Sequence, residues 1–548
     1  MPTQQNFDGQ IIIIPGVYSN IKSGFKNPPS AVAYGNLLII DTKGGAGGGA
    51  GVNGTITKGS DAVYEYDNIA DFQSFVEKGF WYLLSNPLFQ PFTANGTSVP
   101  GVSKITFIKA ATTAPATINF TVGADTSDSV GNAGNVKIQV RSEGLVGNGA
   151  LNTVSELSKG YAIKLSSGVI DPSKFIMNFY RGTFKGLDQN SNPIDGIAEV
   201  DSKAELLCQS KEFNTLSVLV DWMEKSLNFN KFFKYDSTTS VIPVHDKVDV
   251  GDLHDYLTYK LASGGTESYS SSDLTKALLV AKNLNVDFVF ADDYGVDSQS
   301  SNNQAIYSWV KDTQKYKPQL YIASGTISSD FDTVSIADTV FYNNQCVTIV
   351  HGGTKINSKN GVYSYDSYYT AANLLGREAG LEPQIPLTFK NIGINGLTHV
   401  LNDTEQKQAL NAGLLVAIPE SGAFECLKGV NCLQENDFLL NDNGTTHSKQ
   451  LFRIAHQLNK EIVITAREEL LKAQNGVNRN TLSETDVQQW TKRFLQRKVA
   501  EPTKDNIILS FQDVEVTRQS DGYFISYKFA PNTEISFLFF SGLILDVN

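Results

Sequence analysis

Charge is scarce in this 548-residue chain. Asp, Glu, Lys and Arg make up 19% of it, against about 25% in ordinary globular proteins. Asn, Thr, Ser and Gly fill the gap. A weakly charged polar surface suits wide contacts with other protein, because charge is depleted at interface centres. Basic residues are scarcer still. With 45 Lys and Arg against 57 Asp and Glu, the net charge is −12, which argues against wrapping a nucleic acid backbone. Cysteine is nearly absent: 4 residues cannot build a disulfide scaffold, so synthesis and folding in a reducing cytoplasm are expected. No window approaches the roughly 18 apolar residues of a membrane span. The amino terminus has no basic region followed by an apolar run, so no secretory leader is expected.

Motifs for chemistry are also missing or broken. His245 and His254 flank Asp246, Asp249, Asp252 and Asp255, which loosely suggests metal ligation, but neither H-E-x-x-H nor any zinc spacing occurs. Cys426 and Cys432 are spaced too widely for a zinc knuckle, and no second pair exists. G-x-S-x-G is absent. Gly49, Gly51 and Gly54 match G-x-G-x-x-G within Gly44–Gly54. No helix pattern and no Lys-Ser/Thr follow, so the stretch reads as a flexible surface loop. Asp292-Asp293 ends an apolar strand, where sites of α/β sheets gather. Adjacent strand residues diverge, however, and a solvated acidic face or a salt-bridge patch is the plainer reading. No catalytic residue, cofactor or metal is expected.

What is present is 41% hydrophobic residues, enough for folded domains, and a length that suggests roughly three to four of them. Ile11-Ile12-Ile13-Ile14 is a β-branched run, stopped by Pro15-Gly16 and followed by Val17-Tyr18. It reads as an apolar strand on an arm (1–30), with no local partner. Residues 31–150 alternate or run apolar at strand length and read as a β-rich domain. Residues 151–260 read as β-rich or mixed, a possible insertion. From 261 to 435 strands alternate with helices, which implies a mostly parallel sheet covered on both faces. There Ser272 is the expected N-cap of a helix burying Leu274, Ala277, Leu278 and Ala281. Gly380 closes a later helix.

The carboxyl-terminal segment, 436–548, holds helices and then strands. Ser483-x-x-Asp486 marks a helix start, and Val487, Trp490, Phe494 and Leu495 form its apolar stripe. Two strands joined through Ser520-Asp521-Gly522 make a hairpin, with Val514, Val516, Phe524, Ile525 and Tyr527 along it. The last segment, Glu534–Leu545, carries Ile535, Phe537, Phe539 and Leu543 and is a second apolar strand at a terminus. The fold class is α/β and α+β multidomain: an α/β core with a mixed sheet, β-rich peripheral domains, and a carboxyl-terminal domain of helices and a small sheet.

Four stretches in this order resemble contractile tail sheath proteins of bacteriophages and related injection machines. They are Ile14–Tyr18 (IPGVY), Gly131–Val140 (GNAGNVKIQV), Leu261–Leu278 with its Gly-Gly turn before a helix, and the carboxyl-terminal helix, hairpin and last strand. The family often follows its Pro-Gly-Val-Tyr with acidic residues; here Ser19-Asn20-Ile21-Lys22 follow. Residues 151–260 match poorly.

The resemblance implies that each subunit lends its terminal strands, Ile11–Tyr18 and Ile535–Leu543, to neighbours. A neighbour's small carboxyl-terminal sheet, Val514 to Tyr527, would receive them by strand addition. It implies a homo-oligomer of stacked rings, hexameric in the family, around a tail tube protein. Baseplate and tail terminator proteins would be further partners, with no direct nucleic acid contact and no membrane insertion. The location implied is the virion tail sheath, assembled in the host bacterial cytoplasm. Residues 449–498 hold ten Lys or Arg against five Asp or Glu. That basic segment is expected to face acidic surface on the tube or a neighbouring subunit. Two other readings stay open: a static structural tube or shell, and an enzyme with a Rossmann-like core using Gly44–Gly54 and Asp292-Asp293.

Overall fold

A computed structural model describes residues 5–7, 10–12, 34–42, 63–76, 80–94, 97–122, 134–143, 160–182, 205–242, 248, 260–282, 284–291, 300–312, 318–325, 331, 333–358, 361–420, 422–434, 446–469, 483–500, 507–519 and 522–531. Its centre is an eight-stranded sheet. Six parallel strands run in the spatial order Leu414–Glu420, Val347–His351, Gln319–Ser324, Phe288–Phe290, Asn36–Asp41 and Lys104–Lys109. Ala423–Cys426 and Val63–Tyr66 close the two edges in antiparallel sense.

The apolar runs of these strands are needed because both faces are covered. Leu37, Ile39, Phe107, Phe288, Phe290 and Tyr321 face helices Ile69–Val76, Phe80–Phe89 and Ser367–Ala379. Leu38, Ile40, Val289, Leu320, Ile322 and Ile349 face Ser271–Ala281, Ser301–Asp312 and Asp403–Ala412 on the other side. Helix Ser367–Ala379 lies so close to Phe80–Phe89 that a Cβ on Gly376 would meet the Pro87 carbonyl at 2.2 Å.

The core therefore begins at residue 34, well before 261. The segment 31–150, expected as one β-rich domain, divides between two cores and also contains two helices. Its later strands, Thr112–Val122 and Gly134–Glu143, belong to a four-stranded sheet with Phe233–Tyr235 and Thr266–Ser268. A second four-stranded sheet joins Glu205–Gln209, Phe175–Gly182, Gly160–Ser167 and Lys260–Leu261. Ile118, Phe120 and Ile138 from one sheet, and Ile163, Met177 and Phe179 from the other, share one apolar core with helices Leu216–Lys225 and Leu227–Phe232. This two-sheet unit interrupts the core between Lys109 and Ser271.

The helix at 271–281 buries Leu274, Ala277, Leu278 and Ala281 as expected. Its N-cap is Ser270, not Ser272. Ser270 Oγ accepts from the Asp273 amide while the Asp273 carboxylate accepts from the Ser270 amide. Asp273 stands three residues after Ser270, so that serine alone completes the reciprocal pair. Gly380 closes Ser367–Ala379 as expected.

Candidate assembly site

The carboxyl-terminal unit is built on two helices, Lys449–Glu469 and Glu484–Ala500. Ser483 starts the second: its hydroxyl accepts from the Asp486 amide at 3.2 Å, and Asp486 accepts from the Ser483 amide at 3.0 Å. The Ser483 hydroxyl also donates to the Asp486 carboxylate at 2.7 Å, and this bond, with the one from the Ser483 amide, holds the Asp486 carboxyl below its usual range. Val487, Trp490, Phe494 and Leu495 are buried, as their spacing predicts. Trp490, Phe494 and Leu495 meet Ile454, Leu458 and Ile462 of the first helix and Ile507, Ile508 and Val514 of the hairpin. Lys498 and Glu461, 2.7 Å apart and both buried, tie the helices together.

Strands Ile508–Gln519 and Gly522–Pro531 form a two-stranded sheet that takes no third strand among the described residues. Val514 is buried, and Tyr527 and Phe529 pack on the same helix pair. Burial pushes the Tyr527 hydroxyl up to about 12. Val516 stands opposite Ile525, and both are half-buried. Phe524 stands opposite Thr517 on the other face, 58% exposed. The five residues expected to form the receiving sheet thus lie on one hairpin but on two faces. An isolated pair of strands is marginal in water; here the helices support one face.

The strand-lending residues are less complete. Ile11 and Ile12 lie in strand Gln10–Ile12, which pairs with Gln5–Phe7 of its own chain, Ile11 opposite Asn6 and Ile12 opposite Gln5. Ile13, Ile14, Pro15, Gly16, Val17, Tyr18, Ile535, Phe537, Phe539 and Leu543 lie outside the described residues. So do Gly44–Gly54, Asp292-Asp293, His245, His254 and the aspartates near them.

Sequence reasoning missed a buried polar seam along helix Lys449–Glu469. Lys449, Arg453, His456 and Lys460 are all buried. Lys449 lies 3.1 Å from Glu378 and donates to Gln319 and Thr348, each at 2.5 Å. Arg453 donates to the Tyr34 hydroxyl and to the carbonyls of Glu378, Leu381, Glu382 and Ile385. Tyr321 donates to Glu378. Lys460 meets Asp287 at 2.6 Å, while the Nε2 of His456 lies 3.8 Å from the same oxygen. Burial pushes the Lys449 ammonium and the His456 imidazole below their usual values and the Tyr34 hydroxyl above its own.

The seam corrects the charge expectation. Of the ten basic residues in 449–498, Lys449, Arg453, Lys460 and Lys498 turn inward to carboxylates of their own chain. A buried cation needs a paired carboxylate, and Glu378, Asp287 and Glu461 supply it. Lys492, Arg493 and Arg497 on Glu484–Ala500 are exposed. The signal was present: 449, 453, 456 and 460 follow the four-three-four spacing of one helix face.

One cluster bears on the enzymatic alternative. Ser324 and His351 end adjacent parallel strands, and Ser335 Oγ lies 2.7 Å from His351 Nδ1. Asp338, however, accepts from Ser324 at 2.9 Å, and Ser335 is 1% exposed. A nucleophile must reach its substrate, so these four side chains read as a buried polar network. Among the described residues, a cavity of about 600 Å³ near Asn86, Gln90, Asn373 and Asn395 is lined without an Asp, Glu, His, Lys or Cys. No helix among the described residues is long and apolar enough to cross a membrane.

Comparison with protein-family models gives no match, and neither does comparison with curated protein sequences. Solved structures do match along nearly the whole chain. A sheath tail protein from Listeria innocua superposes with a TM-score of 0.55 at 15% identity, covering 92% of this chain and 93% of that one. A sheath tail protein from Desulfitobacterium hafniense gives 0.56 at 12% identity, covering 94% and 97%. The chain has the fold of sheath tail proteins.

Proposed function

We propose that this chain is the sheath subunit of a contractile tail. Subunits stack as rings, six to a ring by family likeness, around an inner tube in an extended, metastable lattice. A baseplate signal releases them into a shorter, wider lattice that buries more surface, and contraction drives the tube through the target cell envelope. The free energy comes from subunit contacts, so the mechanism uses no active site, cofactor or metal. The tube protein, the baseplate and a terminator are the partners, and the tail in the virion is the location, reached from the host cytoplasm.

The observation that carries this reading is the fold match across more than nine-tenths of the chain. It is supported by a helix-backed hairpin that pairs with no third strand among the described residues. A head-to-tail strand contact does not close on itself and so builds rings and helices. The segments Ile11–Tyr18 and Ile535–Leu543 are the donors in this proposal, and linker Lys22–Ser30 spans at most about 30 Å when extended. Exposed Lys492, Arg493 and Arg497 face acidic surface on the tube or on a neighbour. Negative-stain microscopy of purified protein tests the reading. Striated tubes are expected; smooth unstriated particles would favour a static shell, and persistent monomers would overturn assembly altogether.

A further inference from the structure

The cavity of about 600 Å³ lies where two helices of the core meet a short hairpin. Asn86 and Gln90 come from the end of Phe80–Phe89, Tyr369 and Asn373 from adjacent turns of Ser367–Ala379, and Thr93 from strand Phe92–Ala94. Residues 392–395 form a further wall. The Gly393 amide donates to the Pro91 carbonyl at 2.7 Å, and a Cβ on Gly393 would meet that oxygen at 2.6 Å. Only glycine lets this wall stand so close to the hairpin. Tyr369 and Asn373 are buried, whereas Asn86, Gln90, Thr93 and Asn395 are exposed. The lining therefore runs from an exposed rim to a buried floor.

Asn373 is 1% exposed, yet only half of its amide is satisfied. Its Oδ1 accepts from the Gly393 amide at 3.4 Å, which fixes the end that carries the oxygen. Its Nδ2 has no acceptor. A buried donor left unpaired costs stability, and a ligand oxygen would relieve that cost. Among the described residues no Asp, Glu, His, Lys or Arg lines the cavity, so a bound anion would lack a counter-charge. The amides of Gln90, Ile392, Gly393, Ile394 and Asn395 are all bonded within the chain. Little main chain is left there for an extended peptide to pair with. What remains is side-chain amides and hydroxyls, groups that both donate and accept, beside the aromatic surface of Phe92 and Phe424. A sugar presents the matching surface, hydroxyls around an apolar C–H face.

We infer that this cavity binds a short neutral saccharide, with Asn373 Nδ2 donating to a sugar oxygen at the floor and Asn86, Gln90 and Asn395 meeting hydroxyls at the rim. The site lies within one subunit, so the inference goes beyond the sheath reading and does not depend on it. Asn373 is then a binding residue kept although it costs stability. A leucine has nearly the same shape and no unpaired donor, and the Gly393 amide would keep its bond to Pro91.

The test titrates the unassembled full chain by calorimetry with maltotriose, cellotriose and tri-N-acetylchitotriose, and with trigalacturonate as the acidic counterpart. At least one neutral trisaccharide should bind with a Kd at or below about 1 mM, and trigalacturonate about tenfold or more weakly. Asn373→Leu should weaken binding about tenfold while melting at or above the parental temperature. Thr93→Trp, which narrows the mouth and leaves the floor alone, should weaken binding as much. Thr275→Ala, on the exposed side of Ser271–Ala281, should match the parent. Failure of all three neutral sugars at about 10 mM overturns the ligand class, and striated tubes from the same protein would leave the sheath reading standing. Equal affinity for trigalacturonate overturns the neutral assignment. Parental affinity in either cavity variant overturns the site. An Asn373→Leu chain that melts well below the parent makes Asn373 a structural residue and overturns its binding role. No sugar binding, together with a Thr93→Trp chain that no longer assembles, would give the cavity to a loop of a neighbouring subunit instead.

Discussion

Arg453 donates through Nε to the hydroxyl of Tyr34 at 2.6 Å, joining residues 419 apart in sequence, and its guanidinium also lies over the Tyr34 ring. Tyr34 stands where the amino-terminal arm gives way to the core sheet. Arg453 belongs to the helix that carries the carboxyl-terminal unit. The two pieces proposed to meet neighbouring subunits are thus mounted on one buried contact. Glu378, 3.6 Å from Arg453 Nε and 3.1 Å from Lys449 Nζ, supplies its counter-charge.

Tyr34→Phe should cost about 1.5–3 kcal/mol, the range for a hydrogen bond to a charged group. Arg453 keeps its carbonyl acceptors, so the variant should still fold. Arg453→Met should cost more, about 3–5 kcal/mol, because Tyr34 and four carbonyls lose their shared donor in a buried site. Arg453→Lys should not restore stability, since one ammonium cannot span the fork of acceptors. Denaturant midpoints of the three variants check the order; a Tyr34→Phe midpoint equal to the parent's would mean the contact is incidental.

Two buried imidazoles should make the fold sensitive to acid. Burial lowers the pKa of His447 although the Leu433 and Leu410 carbonyls oppose the shift, and lowers that of His456 although Asp287 opposes it. A depressed histidine is neutral in both folded and unfolded chains above about pH 6.5. As pH falls below that value, the unfolded chain takes up protons first, so stability declines until pH passes the folded values. The melting temperature should therefore drop between pH 7 and 5. His447→Gln should flatten that drop even if it lowers stability at pH 7.5; an unchanged slope would place the acid sensitivity elsewhere.

The exposed basic residues separate folding from assembly. Changing Lys492, Arg493 and Arg497 together to Glu should move unfolding by no more than about 0.5 kcal/mol per site, because none is buried. Assembly on the tube should weaken, and its dependence on salt should shrink or reverse. Co-sedimentation with the tube across a salt series reads this directly. Wild-type salt dependence in the triple variant would mark these charges as a solvated face.

Local patterns were legible where they act locally. Leu274, Ala277, Leu278 and Ala281 announced a buried face, and Val487, Trp490, Phe494 and Leu495 another. Ser483 and Asp486 announced a cap. What was not legible depends on partners far along the chain. Asn36–Asp41 was readable as a strand, but its place beside Phe288–Phe290 follows from parallel pairing across some 250 residues, which no local spacing records. Helix Phe80–Phe89 escaped because its aromatic sequence contains Pro87, which argues against a helix interior. The cations of 449–460 read as outward-facing from sequence because their carboxylates, Glu378 and Asp287, are remote along the chain.

Removing residues 1–18 tests the arm most directly. Strands Gln5–Phe7 and Gln10–Ile12 pair only with each other among the described residues, and the core sheet starts at Asn36. Tyr34, which anchors the arm to Arg453, stays. The truncated chain should therefore keep its cooperative melting. What it loses is the strand proposed for a neighbour. About four ladder residues carry several hydrogen bonds, each about 0.5–1.5 kcal/mol net. Four isoleucines, if fully buried in the assembly, add about 1.5–3 kcal/mol each. A sum of that size rivals the stability of a whole domain, and it would recur at every subunit contact. The truncated protein should stay soluble, melt as the parent does, and fail to form long tubes. Sedimentation and microscopy decide it. Ordered sheaths from truncated protein would show that lattice contacts suffice without the arm, and that the isoleucine run serves its own amino-terminal hairpin instead.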